Sequence, residues 1–152
     1  METIHTLEKN TIQGVKDLIE INIDSAKGFR SASEKVDDAD ITRFFVRCAA
    51  DRDENAAALT QFLKANGEPS PDGGTALGAM HRWWLELRGT IQSGDEHAML
   101  AEAERGEDAI KAKYEKVLKE TAGSALNDLI QKQYATVKKT HDTVRDMRDA
   151  RA

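Results

Sequence analysis

Four long stretches of the chain repeat apolar residues every three or four positions, and this spacing limits the fold more than any other feature. Residues three and four apart share one face of an α-helix, so the pattern predicts four amphipathic helices. Each helix is roughly 25 residues or longer, which corresponds to about 40 Å. We expect the helices at about residues 6–36, 41–66, 95–117 and 124–147, with Ser124 as the cap of the last one.

Short connections join these helices in pairs, whereas a long link separates the two pairs. Asp37, Asp38 and Asp40 offer N-caps to the second helix, and Asn66-Gly67 is a signal for its end. Because only a few residues connect helices one and two, and helices three and four, each pair must form an antiparallel hairpin. The link at 67–95 contains an apolar segment, TALGAMHRWWLELRGTIQSG, which predicts a short extra helix. A link of this length lets the third helix start parallel to the second.

The composition fits one helical domain that occupies residues 1–152. Of the 152 residues, 39% are hydrophobic, 32% are charged and only two are prolines. A chain of this length buries roughly two-thirds of its unfolded surface, so it needs no disulfide or metal for stability. The single cysteine, Cys48, lies in an apolar run, which indicates a buried, reduced thiol in a cytoplasmic protein.

Charge and hydropathy argue against two classes of partner. The net charge of −5 is spread along the chain, whereas nucleic-acid binding would need a basic face. No apolar run approaches the roughly 18 residues of a membrane span. The first residues, METIHTLEKNTIQ, lack the basic start and apolar core of an export signal. We therefore expect neither nucleic acid nor a membrane as a partner.

Polar residues interrupt each apolar stripe near its middle. In the second and fourth helices they occur as pairs at a spacing of three, which places both side chains on one helix face. The separation from Asn22 to Asn55 is 33 residues and that from Glu107 to His141 is 34, so the two hairpins look like copies of one unit. The six interrupting residues are Asn22, Arg52, Asn55, Glu107, Lys138 and His141.

These six positions resemble the ligand pattern of the di-iron ferritin-like proteins. Those proteins place a glutamate on each of two helices and a Glu-x-x-His motif on each of the other two. Of the six residues here, only Glu107 and His141 match that pattern. The phrases DSAKGFRSASEKV, AERGEDAIKAKYEKVL and YATVKKTHDTVRDMRD also resemble an uncharacterised bacterial family of ferritin-like four-helix-bundle proteins. The resemblance implies the ferritin-like fold and no established activity.

The departures from the ligand pattern change the chemistry expected at the centre. A di-iron site needs carboxylates to neutralise two metal ions, but Arg52 and Lys138 bring positive charge to ligand positions. We therefore expect no di-iron centre and no cofactor, and if a metal were held, Glu107 and His141 would be its ligands. Instead, Arg52 could bind the Glu107 carboxylate bidentately, with the other polar residues completing a network in the core.

The leading functional interpretation is a cytoplasmic ferritin-like bundle that lacks a competent di-iron centre and acts through protein association rather than as an enzyme. Trp83 and Trp84 in the link are the candidate interface, either for a homodimer or for an unidentified protein partner. A crossover helix that simply lies on the bundle is the favoured explanation of these tryptophans.

Two other functions remain open. One is a metal-binding redox protein of the rubrerythrin and bacterioferritin type, in which Glu107 and His141 act with neighbouring carboxylates such as Asp24 or Asp51. The other is a carrier of an apolar ligand, which would need a cavity near the tryptophans of the link.

Overall fold

The four predicted helices are present, with the two short connections in the expected places. The computed structural model describes residues 9–69 and 96–151. Its helices are α1 (Lys9–Ser33), α2 (Ala39–Ala65), α3 (Glu96–Glu120) and α4 (Leu126–Asp149). These two ranges contain no strand, so the all-α prediction is confirmed, and none of the described helices is long and apolar enough to cross a membrane. The extra helix predicted for the link lies outside the described residues.

Side-chain and backbone hydrogen bonds close both ends of α2 where the sequence predicts. The Asp38 carboxylate accepts a hydrogen bond from the Ile41 N–H at 3.1 Å, which caps the first turn. At the other end Gly67 has a φ of 74°, and the Glu68 N–H donates to the Leu63 carbonyl at 2.9 Å. This is the Schellman arrangement, in which a glycine adopts the left-handed conformation at little cost.

Helix α1 ends at Ser33, earlier than the apolar spacing predicts. Beyond the helix the chain forms a short turn, in which the Glu34 N–H donates to the Ser31 carbonyl at 3.3 Å. Val36, the expected end, still packs into the core although it lies outside the helix. The apolar spacing therefore located the buried stripe correctly but extended the helix too far.

The helices pack in a ring in which the two hairpins lie side by side. α1 packs against α2 and α3, and α4 packs against α3 and α2. The α1–α2 and α3–α4 hairpins have the most extensive contacts, whereas the α2–α4 seam has the least extensive. α2 and α3 therefore face each other across the middle of the bundle.

Two apolar clusters fill the ends of the bundle and show the direction of each helix. The first joins residues 41–49 of α2 to 99–103 of α3, and the second joins 56–63 of α2 to 110–117 of α3. α2 and α3 thus run in the same direction, so the link between them connects opposite ends of the bundle. Burial of each large apolar side chain stabilises the fold by about 1.5–3 kcal/mol, which holds the polar layer between the clusters in place.

Candidate functional site

A buried ion pair lies between the two apolar clusters. Arg52 of α2 donates from Nη2 to Glu107 Oε2 of α3 at 2.6 Å, and each side chain is only 1% exposed. The guanidinium carbon also lies 5.7 Å from the ring centroid of Phe29, a distance suited to a cation–π contact. The pair spans the diagonal of the ring and so connects two helices that are not neighbours.

Burial determines the electrostatics of this pair. It raises the pKa of Glu107, and the positive charge of Arg52 opposes that shift by favouring the ionised carboxylate. Taking the two charges out of water costs several kcal/mol per ion, which offsets much of their attraction. Burial of the pair is therefore not by itself evidence of a large contribution to stability.

A closed circuit of hydrogen bonds, called here the polar circuit, connects all four helices. Its members are Asn22, Asn55, Tyr114 and Gln133. The Asn22 amide donates to the Tyr114 hydroxyl at 2.8 Å, and that hydroxyl donates to Gln133 Oε1 at 2.8 Å. Gln133 donates to the Asn55 backbone carbonyl at 3.2 Å, and Asn55 Nδ2 donates to Asn22 Oδ1 at 3.4 Å. Burial raises the pKa of Tyr114 to about 12, so its hydroxyl keeps the proton that it donates.

A second polar group lies between α3 and α4. It consists of Glu104 and Asp108 of α3 and His141 of α4, and it is called here the seam cluster. His141 Nε2 lies 2.6 Å from Asp108 Oδ1, and His141 Nδ1 lies 3.2 Å from Asp142 Oδ1. Glu104, one turn before Asp108, forms an ion pair with Arg148 of α4. One ligand atom from each of Glu104, Asp108 and His141 lies within 4.8 Å of the other two. The cluster thus places two carboxylates and one imidazole within reach of a common ion.

Five of the six residues predicted for the central network are buried or half-buried, and four of them contact one another in pairs in the interior layer. Arg52 and Glu107 form the ion pair, and Asn22 contacts Asn55 in the polar circuit. Asn55 is half-buried, whereas Asn22, Arg52 and Glu107 are almost completely buried, and the buried His141 contacts other residues. The sequence predicts a single polar network in the core. The structure instead has a charged pair and, beside it, a circuit of neutral groups.

The prediction for Lys138 is wrong, and the partner expected for His141 needs correction. Lys138 is exposed on α4. The buried face of that helix passes through Val137 and His141, and Lys138 lies about 100° around the helix from Val137. A spacing of three puts two residues on a common face, but it does not show that both are buried. His141 lies at the edge of the buried face and contacts Asp108 in place of Glu107.

Three residues of these sites carry weaker signals in the sequence. Tyr114 fits the apolar stripe of α3, which conceals the role of its hydroxyl in the polar circuit. Gln133 lies three residues after Ile130 and four before Val137, so the helical spacing itself places it on the buried face of α4. Asp108 follows the buried Glu107 and is exposed, so no apolar pattern marks it.

A groove of about 370 Å³ follows the seam between α2 and α4. Its walls are mainly polar or charged, whereas a pocket for an apolar ligand is lined mainly by apolar side chains. Cys48 lies in the wall of the groove, and burial raises the pKa of its thiol to about 12, so the thiol stays protonated. Trp83 and Trp84 lie outside the described residues, so the prediction of a cavity near them stays a prediction.

Together these observations define an all-α four-helix bundle with a polar interior layer and a carboxylate–histidine cluster on one seam. A family model described as a domain of unknown function, DUF2383, matches residues 10–120. Because this match covers most of the chain, the protein belongs to that family. The matched residues end with α3, so they include Arg52 and Glu107 but not His141. Among the curated proteins, none matches this chain.

Proposed function

We propose that the protein is a ferritin-like four-helix bundle in which an internal ion pair takes the place of a di-iron centre. It acts as a structural or protein-association module in the cytoplasm, and not as an enzyme. The observation that supports this most directly is the 2.6 Å contact between Arg52 and Glu107. Glu107 is the one carboxylate at the six central positions, and a metal ion there would need it as a ligand. Its ion pair with Arg52 competes with that role.

The order of the helices supports the ferritin-like assignment. In a bundle with short loops throughout, consecutive helices are neighbours, and α2 would pack against α3. Here α2 and α3 lie across the ring from each other and run in the same direction. A single long crossover between the second and third helices produces this arrangement, and ferritin-like folds have one such crossover.

The residues at the centre do not fit a di-iron site. Such a site takes a glutamate from each of two helices and a Glu-x-x-His motif from each of the other two. The corresponding positions hold one carboxylate, Glu107, and it is bonded to Arg52. Asn22 and Asn55 offer neutral amides that belong to the polar circuit. Metal ions beside the guanidinium would also be repelled strongly in the low-dielectric interior.

The redox alternative requires Glu107 and His141 to bind one ion together. Glu107 contacts Arg52, whereas His141 contacts Asp108 and Asp142 on the seam. The geometry therefore favours a structural role for the central carboxylate, and any metal chemistry of His141 would depend on its other neighbours.

Iron loading tests the first part of the proposal. Protein produced without a tag and treated with a chelator is incubated with Fe²⁺ in air, and bound iron is measured by elemental analysis. We expect no pair of iron atoms per chain, because the centre lacks the carboxylates to neutralise them. Two bound iron atoms per chain that disappear in Glu107→Gln would overturn the proposal.

The second part of the proposal is that the protein forms a homodimer. The predicted interface is formed by Trp83 and Trp84 in the link between α2 and α3. Sedimentation equilibrium over a range of protein concentrations should show a dimer, which Trp83→Ala or Trp84→Ala should weaken. Val46→Ser is the control, because it removes an apolar side chain from α2 that is 52% exposed, and it should leave the dimer unchanged. A monomer at every concentration would contradict the homodimer.

A further inference from the structure

The seam cluster has the composition and spacing of a metal site that is separate from the central ion pair. We propose that Glu104, Asp108 and His141 bind a single divalent transition-metal ion such as Zn²⁺. Carboxylate oxygens and an imidazole nitrogen are ligands that Zn²⁺ takes in proteins. This site needs neither the central ion pair nor self-association, so it stands or falls independently of the proposed function.

Helix geometry brings the three ligands together. Glu104 and Asp108 are four residues apart on α3 and share one face, and His141 approaches them from α4. The three ligand atoms lie within 4.8 Å of one another, and His141 Nε2 lies 2.6 Å from Asp108 Oδ1. Ligand atoms about 2.0–2.2 Å from a tetrahedral Zn²⁺ lie about 3.4 Å apart. The His141–Asp108 pair is closer than that value and the other two pairs lie within 4.8 Å, so side-chain rotation would have to open the first contact to admit a shared ion.

Asp142 gives His141 the orientation that a metal ligand needs. The Asp142 carboxylate lies 3.2 Å from Nδ1 and Asp108 lies 2.6 Å from Nε2. A metal ion bound at Nε2 would select the tautomer with its proton on Nδ1, where Asp142 can accept it. Metal-binding histidines usually donate their second ring N–H to a carboxylate or carbonyl in this way, and the contact fixes the ring and its tautomer. The imidazole and its contact with Asp142 distinguish this cluster from a group of surface carboxylates alone.

The seam cluster combines an anchored ligand with an accessible one. Only 10% of the His141 side chain is exposed, whereas 62% of the Asp108 side chain is exposed. Packing therefore holds the imidazole in place, and an ion can enter from solvent past the carboxylate. Three protein ligands leave at least one coordination position for water, which is the arrangement of open zinc sites rather than closed structural ones.

Arg148 competes with a metal ion for one of the ligands. Its guanidinium forms an ion pair with Glu104 across the α3–α4 seam. This contact holds the Glu104 carboxylate beside the cluster before an ion binds. Ion binding must then replace or share the contact, so the site should bind Zn²⁺ less tightly than the same ligands would without Arg148.

Zinc titration of untagged, chelator-treated protein tests the site. Isothermal titration calorimetry of the wild-type chain should show one Zn²⁺ bound per chain. Asp108→Asn should lower the affinity roughly 100-fold or more, because loss of a ligand costs more than the 10- to 100-fold typical of outer contacts. Since Asp108 is mostly exposed, this substitution leaves the fold intact. Asp142→Ala, which removes the outer contact, should lower the affinity about 10- to 100-fold.

Two matched variants show whether the effect is specific to the cluster. His97→Ala removes an exposed histidine of α3, and Asp146→Asn removes an exposed carboxylate of α4, and both should bind Zn²⁺ like the wild type. His141→Ala should abolish binding, with circular dichroism and urea unfolding used to verify that it folds. The proposal is overturned if the wild-type chain binds no Zn²⁺, or if Asp108→Asn binds it as tightly as the wild type.

Discussion

Arg52 of α2 and Glu107 of α3 meet at 2.6 Å across the diagonal of the helix ring, although 55 residues separate them in the chain. Both charges are removed from water, so their mutual attraction is largely offset by lost hydration. The contact forms only when α2 and α3 have the correct rotation and register. We infer that the pair contributes to the specificity of the bundle more than to its stability.

Removal of one member of this pair should therefore cost more than removal of both. Arg52→Met should lower the free energy of unfolding by about 3–5 kcal/mol, because Glu107 stays buried without its partner. Arg52→Met combined with Glu107→Leu should recover most of that loss, as measured by urea unfolding. The control is Arg43→Ala, which breaks an ion pair with Asp40 whose side chains are 73% and 74% exposed, and it should cost less than about 1 kcal/mol. Losses that simply add in the double variant would contradict this account.

The Tyr114 hydroxyl should stabilise the bundle through the polar circuit. Tyr114→Phe leaves the Asn22 amide and the Gln133 carbonyl without this partner in the interior, so the free energy of unfolding should fall by about 1–3 kcal/mol. Tyr134→Phe is the matched control, because its hydroxyl bonds the exposed Glu115 carboxylate at 2.6 Å, where water can replace it. Thermal or urea unfolding compares the two variants. If both substitutions lower the free energy of unfolding by the same amount, the polar circuit stabilises the bundle no more than an exposed hydrogen bond does.

The Asp38 carboxylate should make the stability of α2 depend on pH. Hydrogen bonds from the Ile41 N–H, the Arg151 guanidinium and the Asp40 N–H hold its pKa below the usual 3.8. Because the pKa is lower in the folded state, the stabilisation is complete above the unfolded value and is lost as the pH falls through the folded value.

A variant without this charge separates the effect of Asp38 from general acid unfolding. Asp38→Asn keeps an oxygen that can cap the helix but does not titrate, so it should be less stable than the wild type at about pH 7. The difference between the two proteins should shrink as the pH falls below about 4. Urea unfolding at a series of pH values measures that difference, and a constant difference would argue against a lowered pKa.

Except for the end of α1, the positions of the helices could be predicted from the sequence because they depend on local chemistry. Asp38 caps α2 through its own side chain, and Gly67 ends the helix because it tolerates a positive φ. Apolar spacing likewise identified the buried stripes, since the period of a helix is fixed. Both signals need only neighbouring residues.

The partners of the polar residues could not be predicted as well, because they depend on the rotation of each helix about its axis. A step of one residue turns a helix by about 100°, which separates the buried Glu107 from the exposed Asp108 that contacts His141. One signal was available. Asp108 and His141 are 33 residues apart, the same separation as the contacting Asn22 and Asn55 in the other hairpin. Two hairpins of similar length place such residues at matching levels.

Arg148 should weaken the binding of Zn²⁺ at the seam cluster, so its removal should strengthen binding. The guanidinium holds the Glu104 carboxylate and repels an incoming cation. Arg148→Gln removes both effects at a partly exposed position, and we expect the Kd to fall roughly two- to fivefold, the size of a screened surface interaction.

Arg105→Gln is the control for this change in charge. It makes the same substitution at an exposed arginine of α3 whose ion-pair partner is Glu102, and it should leave the Kd unchanged. A variant that merely damages the fold cannot raise the affinity of a site, so tighter binding in Arg148→Gln alone would identify Arg148 as the competitor for Glu104. A Kd equal to or higher than that of the wild type would show that Arg148 does not compete with the ion for Glu104.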